Sequence, residues 1–191
     1  PNLIISPAND EGVFLTDSQI QKIYQWLIDP ETKLINCASQ SLHFIDVLLS
    51  GYGIKASIEE MSILAILIDI LSGNIEEYKA RLYLSMYSIM QVARNYGLEL
   101  YPTKITPDYA TLKSLKTPFI AHFNQPKHFV LVTAVTEEKV WMIEQGNTPT
   151  FLPLEKFLKE ISGYVLVGKA DSPKGLSLVT PEQAREVFGA G

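Results

Sequence analysis

His128-Phe129-Val130-Leu131-Val132-Thr133-Ala134-Val135, followed after Thr136-Glu137-Glu138 by Lys139-Val140-Trp141-Met142-Ile143-Glu144, is the stretch on which the fold turns. Phe129, Leu131 and Val135 alternate with Val130, Val132 and Ala134, so both faces of the first run are apolar. A strand apolar on both faces belongs in the middle of a covered sheet. The two runs with their short polar break read as an antiparallel hairpin.

The neighbouring segments extend that sheet. Leu98–Ile105, Pro118–Phe123 and Gly163–Lys169 read as strands, with short helices over Pro107–Leu115 and Pro153–Ile161. Upstream of Gly97 the period changes from 2 to 3.6. Thr16 opens a helical pattern through Ile20, Ile23, Tyr24 and Leu27 that ends before Pro30. A second helix runs from about Cys37 to Ser50, with Asn36 as its N-cap and Ala38, Leu42, Ile45 and Leu49 as its buried face. Ser57 and Glu60 form a capping box for a third helix that is apolar nearly all round as far as Leu71. Glu76–Arg81 makes a short connecting helix, and Ser85 caps another that ends at Gly97. Helices first and antiparallel strands second describe an α+β domain with an N-terminal helical half and a C-terminal sheet half. Residues 1–15 read as an irregular lead-in, 16–170 as the domain, and 171–191 as a linker and a helix capped by Thr180 with Pro181 at its first position.

Composition narrows the function. The 191 residues are 47% hydrophobic and 19% charged, with a formal charge of −5. This is a globular chain without the basic stripe that phosphate-mediated nucleic-acid binding requires. Met61–Leu71, the longest apolar stretch, is well short of the ~20 residues of a membrane span. No charged segment followed by an apolar one marks a signal peptide. The opening at Pro1 without an initiator Met reads as a fragment of a longer chain. A single cysteine forms no internal disulfide, and no Cys/His spacing suggests a metal site, so neither metal nor cofactor is expected. A reducing compartment such as the cytoplasm suits it.

That cysteine, Cys37, is the first candidate for chemistry. At a helix N-terminus, unpaired N–H groups and the helix dipole favour a thiolate. Without a partner a lone cysteine reads first as a buried structural thiol, so the catalytic reading depends on one. His128, held by rigid strand, is the candidate base, whereas His43 turns away from Cys37 on the same helix and His122 reads as surface or rim. A third group must orient the imidazole. With a three-residue hairpin loop, Thr136–Glu138, Val130 faces Glu144 and His128 shares a sheet face with that carboxylate. With an even loop, His128 faces Asn147 and Glu144 turns away. Glu144 is the chosen third residue and Asn147 the reserve.

With these residues the chain resembles a known family. Cys37 heads an amphipathic helix ending in Tyr52-Gly53-Ile54, and Ser57-Ile58-Glu59-Glu60 follows. Leu84-Ser85-Met86, Ala93 and Tyr96-Gly97-Leu98 come next, then Thr117-Pro118-Phe119-Ile120-Ala121-His122-Phe123. The His128 strand, an acidic residue after its partner strand, Phe157 and Gly163-Tyr164-Val165-Leu166 complete the set. In this order the segments, over roughly 31–169, are similar to the papain-like double-glycine leader peptidases, found at the front of bacteriocin-processing ABC transporters and as stand-alone relatives. The resemblance implies a papain-like α+β fold and a cysteine peptidase with Cys37, His128 and Glu144 as catalytic residues. It also implies a leader or extended peptide as substrate, cut after small residues, with an ABC transporter or other secretion component as the partner and a cytoplasmic, membrane-associated place through it.

Three departures from the family pattern stand out. Asn36-Cys37-Ala38 stands for its usual Asp-Cys-Gly, and Glu144 for its Asp. Six residues before the cysteine the family has an oxyanion-holding Gln, and here that residue is Glu31. An ionised carboxylate donates no hydrogen bond, and one lost oxyanion donor costs about 2.7–4 kcal/mol. Gln25 or Gln40 substitutes for it, or Glu31 is protonated, or the domain binds a peptide without cutting it. Finally, Thr180–Gly191, ending Val187-Phe188-Gly189-Ala190-Gly191, itself resembles a double-glycine leader, and reads as a linker with a capping helix or as a segment that fills the cleft.

Overall fold

The computed structural model describes residues 34–72, 83–144, 146–168 and 176–189, with backbone alone for 34–40. The expected lead-in, the Thr16 helix, Gln25, Glu31 and the Glu76–Arg81 helix lie outside these residues.

Helix α1, Leu34–Ser50, and helix α2, Ile58–Leu71, pack together as the helical half. Helix α1 is already formed at Leu34, so Asn36 lies within it and is not its N-cap. Ser57 caps α2 by accepting from the Glu60 amide, and its hydroxyl donates to Glu59, so only half of the expected capping box forms. A two-residue strand β1, Leu84–Ser85, leads into α3, Met86–Asn95. The Leu98 amide still bonds to the Ala93 carbonyl behind Gly97, which ties residue 98 to the helix end. For that reason strand β2 begins at Tyr101, not at Leu98, and runs to Ile105.

The sheet half follows. Helix α4 is Tyr109–Ser114, β3 is Phe119–Asn124, β4 is Lys127–Val135 and β5 is Lys139–Ile143. Strand β6, Pro149–Pro153, was not expected; proline at both ends suits only an edge, and that is where it lies. Helix α5, Leu154–Glu160, leads into β7, Ile161–Val167. Beyond it come β8, Leu176–Leu178, helix α6, Pro181–Arg185, and β9, Phe188–Gly189. The sheet order is β6-β5-β4-β3-β7-β2-β8, antiparallel throughout, and β1 pairs separately with β9.

Strand β4 is interior and covered on both faces, as its doubly apolar sequence requires. Phe129, Leu131 and Ile143 join Ile120 and Leu166 against Leu42, Ile45 and Leu49 of α1. Val130, Val132 and Met142 turn the other way, with Phe119 and Phe123, under Leu112 of α4 and Phe157 of α5. The architecture is α+β.

Candidate active site

His128 is the second residue of β4, and its ring is only 12% exposed. It packs edge-on to Phe123, with centroids 4.9 Å apart, and Phe123 in turn rests against Phe157. Nε2 lies 2.9 Å from Oε1 of Glu144, and Nδ1 lies 2.7 Å from the Pro126 carbonyl. A neutral imidazole has one N–H, so it donates to one of these acceptors at a time, and only a protonated ring satisfies both. With Nε2–H donating to Glu144, Nδ1 is the nitrogen left to accept a thiol proton, and in this arrangement the Pro126 carbonyl stands beside it.

The route by which Glu144 reaches His128 differs from the expected one. The turn spans four residues, Thr136–Lys139, between Val135 and its partner Val140, which is the even case. Taken alone that register sets Glu144 on the opposite face. A bulge at Thr133 shifts the pairing to Val132↔Met142 and Leu131↔Ile143, which returns Glu144 to the His128 face. Asn147 contacts His43 instead, Nε2 to Oδ1 at 2.5 Å. This contact fastens the Glu144 loop to α1. Cys37 lies in the first turns of α1, six residues and so about 9 Å along the axis from His43. Its thiol is among the side chains outside the description.

His122 is not a rim residue. It is 4% exposed, because it sits in the apolar run Phe119–Phe123 of an interior strand. Nδ1 meets the Ser162 hydroxyl at 2.9 Å and Nε2 meets the Phe188 carbonyl at 2.8 Å. Burial pushes its pKa down to about 4, although the bond to Phe188 works against that shift. The ring is therefore neutral at ordinary pH, with Nε2–H donating to Phe188 and Nδ1 accepting from Ser162. The apolar run was the signal in the sequence; the partners, distant in the chain, left none.

A second buried polar cluster braces β1. Asp69 accepts from the Ser85 amide and from the Ser85 and Ser88 hydroxyls. Burial raises its carboxyl to about 6, against the opposing pull of these bonds and of the Arg185 charge. A groove of about 1050 Å³ between the far end of α1, the turn after it (Gly51–Ile54) and the Thr117-Pro118 turn is lined by no histidine. Among the described residues no group of His, Cys, Asp and Glu could hold a metal ion, and no helix is long and apolar enough to cross a membrane.

Comparison with known proteins identifies the fold. One solved structure is a double glycine motif protease from an AMS/PCAT transporter in complex with the leader peptide. It matches with a TM-score of 0.50 and 20% identity over 70% of this chain and 83% of that one. The peptidase domain of Streptococcus ComA, a bi-functional ABC transporter involved in a quorum sensing pathway, matches with a TM-score of 0.51 and 18% identity, over 74% and 95% of the two chains. Both share the papain-like fold. None of the curated proteins matches. The sequence profile of the Peptidase C39 family matches residues 76–172, which include His128 and Glu144 and begin after Cys37. Over half its length and in its fold, the chain belongs to the Peptidase C39 family of cysteine peptidases.

Proposed function

We propose that this protein is a thiol hydrolase that cuts a leader-type peptide after small residues, with Cys37 as nucleophile, His128 as base and Glu144 as the group that orients His128. The observation that carries the reading is the contact of His128 Nε2 with the Glu144 carboxylate, which leaves Nδ1 as the nitrogen for the thiol proton. In the reaction His128 takes the thiol proton and the sulfur attacks the scissile carbonyl. The amine leaves with that proton, and water then hydrolyses the thioester. The Cys37 amide and one further donor would hold the oxyanion. The family relationship supports a peptide as substrate and an ABC transporter or other secretion component as partner, with a place on the cytoplasmic side of the membrane.

Glu31 favours a second reading, a domain that grips the same peptide without cutting it, because a charged carboxylate opposes an oxyanion. Incubation with peptides carrying a Gly-Gly or Gly-Ala pair, followed by mass spectrometry, decides between them. Hydrolysis after the small pair that disappears in Cys37→Ala is the expected result. Hydrolysis that persists in Cys37→Ala overturns the assignment, and tight binding without any product supports the gripping domain.

A further inference from the structure

The loop between β5 and β6, residues 144–148, is held at two points by histidines. At its start Glu144 meets His128 of β4, Oε1 to Nε2 at 2.9 Å. Three residues on, Asn147 meets His43 of α1, Oδ1 to Nε2 at 2.5 Å. An amide oxygen only accepts, so the His43 Nε2–H is the donor. Gly146, at φ +61°, makes the turn between the two contacts.

The two histidines hold the loop from opposite sides. Helix α1 covers the sheet face that carries Phe129, Leu131 and Ile143. Glu144, next in line after Ile143, turns to the other face, where Phe123 and the His128 ring lie. One short loop is thus tied to α1 on one face and to β4 on the other. Helix α1 is also the element that carries Cys37. Gly146, Asn147 and Thr148 are exposed, so packing does little to fix the loop and the two side-chain contacts set its place.

We propose that His43 is a positioning residue for the reaction: through Asn147 it sets the loop so that Glu144 stays on His128, and it ties that pair to the helix of the nucleophile. The proposal rests on the reading of Cys37, His128 and Glu144 as the catalytic set. His43 stands six residues, about 9 Å of helix axis, from Cys37, so it acts on the loop and not on the thiol. Without the Asn147 contact the exposed loop drifts, and the imidazole loses the group that fixes its tautomer and orientation.

The test uses the full chain. His43→Ala and Asn147→Ala each remove the contact, and His43→Gln restores a donor, because its amide nitrogen stands where Nε2 stood. On a peptide that the wild type cleaves, His43→Ala should lower kcat about tenfold, with KM and the urea midpoint unchanged. In the same variant the nitrogen signal of the His128 ring, read by NMR, should leave its hydrogen-bonded position. His43→Gln should recover both. Combining His43→Ala with Asn147→Ala should slow the enzyme no further than either alone, since both remove one contact. A kcat loss that His43→Gln does not recover overturns the proposal, as do losses that multiply in the combined variant. A lowered urea midpoint with full kcat makes the contact merely structural and overturns it too. The His128 signal needs no cleavage, so it keeps the two readings apart. If no chain cuts peptide, yet that signal moves in His43→Ala and returns in His43→Gln, the peptidase reading fails and the positioning contact stands. If His43→Ala cuts as fast as the wild type and the signal stays in place, the positioning role fails and the peptidase stands.

Discussion

Nε2 of His128 and Oε1 of Glu144 stand 2.9 Å apart across a hairpin whose turn alone would have put them on opposite faces of the sheet. The bulge at Thr133 removes the mismatch, and the contact it creates is the most specific polar feature of the candidate site. Glu144 remains 44% exposed, so its value lies in orienting the ring rather than in stabilising the fold. Replacing it by Gln keeps an acceptor in place and removes the charge that balances an imidazolium. The expected outcome is a fall in kcat/KM of about 10²-fold with an unchanged urea midpoint, measured on a peptide that the wild type cleaves. A drop in stability of the same variant would show that the pair is structural.

Thiol reactivity reports on the same pair from the other side. If His128 takes the Cys37 proton, iodoacetamide should label the wild-type chain well below the ordinary thiol pKa of about 8.5. His128→Ala should move the labelling profile back toward that value. Identical pH profiles for the two chains would separate the cysteine from the histidine.

Two buried groups oppose each other in acid. His122, at 4% exposure, has its pKa lowered from 6.5 to about 4, and Asp69, at 1%, has its carboxyl raised from 3.8 to about 6. Between pH 4 and 6 the unfolded imidazole carries a proton that the folded one lacks, so the His122 contribution to stability grows as pH rises. Over the same window the folded Asp69 keeps a proton that the unfolded one has lost, so its contribution shrinks as pH rises. The two slopes cancel in the wild type. Asp69→Asn removes one of them, and urea denaturation should then show stability rising by about 1.4 kcal/mol per pH unit across this range. A profile as flat as that of the wild type would refute the assignment of either group.

Gly163 stands at φ +85°, and a Cβ there would approach the Ile105 carbonyl oxygen to 2.8 Å. Both strain and contact fall on backbone, so Gly163→Ala should cost about 1–3 kcal/mol in urea denaturation. Its neighbour Ser162 holds His122, so the same substitution should raise the His122 pKa, which NMR titration of the ring reads directly. An alanine variant as stable as the wild type would mean that β7 shifts freely against β2.

Much of this protein was legible along the chain. The doubly apolar run Phe129–Val135 marked an interior strand because a buried sheet leaves neither face to water. Ser57, Ser85 and Thr180 marked helix starts because a side-chain oxygen satisfies amides that the helix cannot. Cys37, His128 and Glu144 emerged as candidates from residue chemistry and order. Register and long-range closure were not legible. A bulge is one extra residue without a sequence signature of its own, yet Thr133 decided which face Glu144 occupies. Whether His122 was rim or core depended on Ser162 and Phe188, which lie 40 and 66 residues away. The contact of His43 with Asn147 likewise exists only once the two halves meet. Periodicity and capping act within a few residues and can be read from local order. Contacts across the sheet and between the halves are set by the packing of the whole chain, and no short stretch contains them.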